Sequence, residues 1–131
     1  MSAPTIASRL RRRCVLMTRD AALERALRDR LPPGWEMATT TAPASLGGFE
    51  EILQYRFLLL DLDEAGAFDP IDVLRELRVD LMLNVPVFCF GGGAAARDAA
   101  RLARGDRFFD RAEIVERLPV FCEQYGWGGG R

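Results

Sequence analysis

A continuous apolar run, Phe57-Leu58-Leu59-Leu60, ends abruptly at Asp61. It lacks the alternation of a half-solvated strand and suits a strand covered on both faces, as in the middle of a parallel sheet. A carboxylate that closes such a strand lies at the carboxyl edge of the sheet, where open α/β folds place their chemistry. Tyr55–Asp63 is therefore the stretch that organises the chain, with Asp61 its candidate functional residue. The plain alternative is that Asp61 only solvates a strand end.

The elements around it alternate. Arg13–Met17 reads as a first buried strand, followed by the loop Thr18-Arg19-Asp20. Ala21–Leu31 is expected to be helical, with Leu23, Leu27 and Leu31 on one face, Asp20 as cap and Pro32-Pro33-Gly34 as stop. Trp35–Thr41 reads as an edge strand. Ser45 is expected to cap a short helix over Leu46–Gln54, weakened by Gly47 and Gly48. After the loop Leu62–Phe68, Asp69-Pro70-x-Asp72 starts a helix running to Val79, with Ile71, Leu74 and Leu77 inward. Val85–Phe90 is a fourth strand, broken by Gly91-Gly92-Gly93. Ala94–Arg104 is a helix with Arg97, Asp98, Arg101 and Arg104 outward, and Arg107–Phe109 is a short fifth strand. Asp110 and Glu113 form a capping box for the last helix, which carries Ile114, Leu118, Phe121 or Cys122, and Tyr125 inward; Pro119 should kink or split it. Right-handed crossovers turn this βα alternation into a parallel sheet with helices on both faces. The expected fold is a flavodoxin-like (βα)5 three-layer sandwich of order 2-1-3-4-5. Its crevice, between strands one and three, brings Asp61 to the Thr18-Arg19-Asp20 loop.

The 131 residues suit one domain, expected over residues 12–126, with a flexible lead over 1–11 and a Gly-rich tail over 127–131. A formal net charge of −1 leaves no broad basic field, so direct binding of nucleic acid is not expected. No membrane-spanning run and no signal peptide are read, and a cytoplasmic location is expected. The chain has no histidine and no lysine, so all 18 basic residues are arginine. That excludes histidine acid–base catalysis, histidine metal sites, Schiff-base chemistry and a P-loop lysine. Cys14, Cys89 and Cys122 show no pairing or metal-like spacing and read as reduced core thiols. Ser2, Ser8 and Ser45 lack a histidine partner, so no enzyme activity is expected.

Four blocks at fitting spacings, V-L-M-T-R-D, L-L-L-D-L, P-V-F-C-F and G-D-R-F-F-D-R, make the chain from about Arg12 to Tyr125 resemble the response-regulator receiver domain of bacterial two-component signalling. The resemblance implies that Asp61 stands where the family takes a phosphoryl group from a histidine kinase. It also implies a Mg²⁺ held by an acidic pair after strand one, by this aspartate and by the backbone carbonyl of Asp63. A hydroxyl after strand four and a lysine after strand five would bind the phosphoryl oxygens. This chain departs at nearly every supporting position. The acidic pair falls on Thr18 and Arg19, leaving Asp20 as the loop's carboxylate; the hydroxyl position falls on Gly91, the lysine on Arg111 and the following proline on Ala112. A guanidinium at Arg19 places a positive charge where the ion would sit, and Arg111 keeps charge without the shape of lysine. The expected reading is a degenerate, or pseudo-, receiver: Asp61 pairs with Arg19, Arg111 or both and no metal is bound, or, in an active receiver only, Mg²⁺ is held by Asp20, Asp61 and Asp63. Such a chain would act as a phosphorylation-independent interaction module for signalling proteins. It could also pair with a second copy through the Ala94–Tyr125 face, which carries Arg97, Asp98, Arg101, Arg104, Asp106, Arg107, Glu116 and Arg117. The first alternative is a working receiver phosphorylated on Asp61. The second is an anion- or nucleotide-binding protein using the Gly91-Gly92-Gly93 loop, a weak signal without G-x-G-x-x-G.

Overall fold

A computed structural model describes residues 11–126. The elements are β1 (Arg12–Met17), α1 (Ala21–Arg30), β2 (Trp35–Thr39), a 3₁₀ turn (Pro43–Leu46), α2 (Phe49–Ile52), β3 (Phe57–Asp61), α3 (Pro70–Arg75) with a π-helical continuation (Glu76–Asp80), β4 (Val87–Phe90), α4 (Ala94–Leu102), β5 (Arg107–Phe109) and α5 (Arg111–Gln124). The expected lead and tail lie outside the described residues except for Arg11, whose guanidinium holds Glu36 of β2 at 2.7 Å.

The sheet has the order β2-β1-β3-β4-β5, and every neighbouring pair is parallel. The uninterrupted apolar runs are the central strands, as their composition demands: β3 and β4 are buried at every position. Their side chains still alternate between two cores. Cys14, Leu16, Phe57, Leu59, Phe88 and Phe90 pack with α1 and α5. Val15, Met17, Leu58, Leu60, Val87 and Cys89 pack on the other face with α2, α3 and α4. This parity decides which side of the sheet each strand-end residue faces.

Several local expectations are corrected. The helix expected over Leu46–Gln54 is two short pieces, a 3₁₀ turn and α2. They part at Gly47, whose φ of +113° no helix accommodates. Ser45 does not cap a helix; it lies inside the turn, its hydroxyl donating to the Ala42 carbonyl at 2.8 Å. α5 runs unbroken through Pro119 over 14 residues. β4 starts at Val87, because Pro86 has no N–H to give a ladder and contributes only its carbonyl, to Leu58 at 2.8 Å. Asp20 and Asp69 do cap α1 and α3, accepting from Leu23 and Ile71. Glu113 Oε1 accepts from the Asp110 N–H at 3.2 Å, as a capping box requires.

Candidate functional site

Register and parity assemble the site. Met17 pairs with Leu60 and Asp61 with Phe90, so Thr18 and Asp61 emerge side by side at the carboxyl edge. Thr18 follows Cys14 and Leu16, and Asp61 follows Phe57 and Leu59, so both face the α1/α5 layer. The two helices that start there bring Asp20, the α1 cap, and Arg111, the first residue of α5. Asp61 is 3% exposed and Thr18 equally so.

The Arg111 guanidinium sits at the centre. Its Nη1 donates to Asp61 Oδ1 at 2.7 Å and to Asp63 Oδ2 at 3.0 Å, while Nη2 donates to Asp20 Oδ2 at 2.7 Å. It also lies over the Phe90 ring, 5.3 Å from the centroid. Burial alone would lower its pKa, but the bonds it donates to Asp61 and Asp20 more than offset that and raise it. Asp20 is held below the usual carboxylate range by the Leu23 N–H and then by Arg111. Both oxygens of Asp61 are engaged: Oδ2 accepts from the Thr18 hydroxyl at 2.7 Å, and Oδ1 accepts from the Asp63 N–H at 2.9 Å as well as from Arg111. The Thr18 oxygen in turn accepts from the Asp20 N–H at 3.1 Å.

The arginine expected first in this position is elsewhere. Arg19 is one residue past Thr18, so strand parity turns it away from Asp61. It is exposed, and its guanidinium lies 4.0 Å from where a Cβ would stand on Gly66. The alternation of Cys14, Leu16 and Thr18 was the signal that separates the two arginines. Gly91 closes the site from above. Its φ is +73°, and a Cβ there would run into the Asp63 carboxylate. Its N–H goes to the Phe109 carbonyl and that of Gly92 to Asp63 Oδ1, so these two donors of the loop are already engaged. Arg97, expected to point outward, turns in and donates to the carbonyls of Gly91 and Phe109, each at 3.0 Å, and to Asp110. The Phe109 carbonyl thus accepts from both the Gly91 N–H and Arg97, using both of its lone pairs.

A divalent ion at this edge would need the oxygens of Asp20, Asp61 and Asp63 directed at one point free of other cations. One oxygen of each is directed instead at the Arg111 guanidinium, and the other accepts from the Leu23 N–H, the Thr18 hydroxyl or the Gly92 N–H. Among the described residues no three acidic or cysteine side chains are placed to hold a metal ion. With Arg111 seated, the residues present do not fit Mg²⁺.

No family model and no curated protein matches the chain. Solved structures do. The phosphorylated cyanobacterial phytochrome response regulator RcpA superposes with a TM-score of 0.71 at 18% identity, covering 87% of this chain and 93% of that one. A response regulator receiver protein from Pseudoalteromonas atlantica gives 0.64 at 15% identity, over 86% and 95%. A response regulator receiver domain from Bermanella marisrubri gives 0.58 at 21%, over 83% and 96%. The chain has the receiver-domain fold. Identities this low speak for the fold alone. The three carboxylates lie at the crevice where the strand order reverses, between β1 and β3, here filled by the chain's own cation. No helix among the described residues is long and apolar enough to cross a membrane.

Proposed function

We propose that this chain is an atypical, or pseudo-, receiver: a cytoplasmic protein-interaction module of bacterial signal transduction whose state does not depend on phosphorylation. One observation carries the reading. Arg111 binds all three carboxylates of the crevice, and both oxygens of Asp61 already hold donors. Attack by Asp61 on phosphorus would need a free carboxylate oxygen and a cation to neutralise the transferring group's oxygens. The guanidinium instead spends its donors on aspartates, and Gly91 supplies no hydroxyl. The module is neither an enzyme nor dependent on a cofactor. Its partners are signalling proteins, or a second copy meeting the Ala94–Tyr125 face, where Leu102 is 87% exposed. Nucleic acid and membranes are not among them.

The convergence of three carboxylates on one cation also favours a second reading, a working receiver in which Arg111 swings aside and Asp61 accepts phosphate from a histidine kinase. Intact-mass measurement after incubation with acetyl phosphate and Mg²⁺ separates the two. No phosphoryl adduct is expected. An adduct that Asp61→Asn abolishes sinks the first reading.

A further inference from the structure

The loop that follows Asp63 encloses a pocket that the acid site does not use. Its volume is about 320 Å³, and its walls include Leu62, Phe68, Ile71 and Ala96. Phe68 and Ile71 pack against the core beneath, so the pocket is preformed. Its rim carries two carboxylates, Glu64 and Asp69, and no basic residue lines it.

Each carboxylate uses one oxygen to hold its own backbone. Glu64 Oε2 accepts from Gly66 at 2.9 Å and Ala67 at 2.8 Å, and Asp69 Oδ1 accepts from Ile71 at 2.8 Å. The second oxygen of each, Glu64 Oε1 and Asp69 Oδ2, accepts no hydrogen bond among the described residues. The bonds from Ala67 and Gly66, with a smaller effect of Arg19, hold Glu64 below the usual carboxylate range, so it is charged at neutral pH. Arg19 stands outside the lining, beside Gly66.

An apolar slot with two spare carboxylate oxygens at its mouth is complementary to a side chain with an aliphatic stem and a cationic head. Arginine suits it better than lysine, because its guanidinium is less strongly hydrated and its donors match carboxylates in pairs. We propose that this pocket seats an arginine side chain of a partner protein, its stem against Leu62, Phe68, Ile71 and Ala96 and its guanidinium between Glu64 and Asp69. This names the partner's anchoring chemistry and rests on the interaction reading for the existence of a partner. The occupant would press on Leu62, the residue between Asp61 and Asp63, and so on the loop that carries one ligand of Arg111.

The test is an NMR titration of the ¹⁵N-labelled chain with butylguanidinium, with uncharged N-butylurea of the same shape as control. Saturating shifts are expected at Gly66, Ala67, Ile71 and Ala96, with N-butylurea binding about tenfold more weakly. Glu64→Gln/Asp69→Asn keeps both backbone acceptors, so the fold is retained. It should weaken butylguanidinium by about tenfold and leave N-butylurea unchanged. Equal binding of the two probes, shifts that never saturate, or an unchanged response in the double variant overturns the proposal. A phosphoryl adduct on Asp61 with the titration intact would instead defeat only the interaction reading.

Discussion

Arg111 is the residue on which the site's electrostatics rest. Removing it leaves Asp61, whose side chain is 5% exposed, with two carboxylate neighbours and no cation. Arg111→Gln should cost about 2–4 kcal/mol at pH 7, since an uncompensated buried charge is expensive. The pH dependence should also change sign. In the parent chain Asp20 has a depressed pKa. Its contribution is present above the ordinary carboxylate range and is lost as pH falls through the lowered value. In the variant three carboxylates are left facing one another without a cation, and their repulsion is relieved by acid, so stability should increase on going from about pH 7 to about pH 5. Urea midpoints at those two pH values check this, and parallel slopes for parent and variant would show that Arg111 does not hold the trio. Asp61 was legible because an apolar run stopped at an acid. That the partner is Arg111 alone was less so: the sequence allowed Arg19, Arg111 or both, and strand parity turns Arg19 away.

At the scale of elements, the β4–α4 connection shows what spacing reveals and what it hides. Its position over the crevice followed from the fold, and Gly91 was legible as a missing hydroxyl. The reason for glycine there is backbone shape, which no spacing reports. Gly91→Ser therefore should not recreate a receiver hydroxyl. It should lose about 1–2 kcal/mol, since a non-glycine residue pays for φ near +73° and the new Cβ displaces Asp63. Thermal melts of Gly91→Ser and Gly91→Ala measure it, and equal stability of either with the parent would contradict the strain argument. The strands and the capped helices α1, α3 and α5 were readable because their apolar pattern and caps agree. The 3₁₀ turn and α2 were not, because Gly47 divides a stretch whose composition reads as one weak helix. Arg78 was missed altogether. It is 7% exposed, and its guanidinium ties the α3 continuation to the carbonyls of Leu83, Val85 and Arg104 and to Asp106. A buried arginine on a helix carries no sequence signature that separates it from an exposed one.

For the whole molecule, composition fixes an unusual titration. Eighteen guanidinium groups keep their charge at any working pH, and no histidine titrates near neutrality. Stability should therefore be flat from about pH 5 to about pH 8 and change only at the two ends. The acid end belongs to the carboxylates. The alkaline end belongs to the thiols, expected as core residues from their strand and helix positions and found free and buried. Burial pushes Cys89 and Cys122 up to about 12, and Cys14 higher still. An unfolded chain releases these protons near pH 8.5 while the folded chain keeps them, so the thiols' contribution is complete below about pH 8.5 and is lost as pH rises toward their folded values. Each contributes a slope of about 1.4 kcal/mol per pH unit, and three together about 4, enough to unfold a domain of ordinary stability within two or three units. Circular dichroism should show cooperative unfolding between about pH 10 and about pH 11.5. In Cys14→Ala/Cys89→Ala/Cys122→Ala the loss of urea stability between pH 9 and pH 10.5 should shrink to a small fraction of the parent's. A triple variant with the parent's full alkaline slope would mean that the thiols ionise without opening the core, and that burial does not hold them protonated.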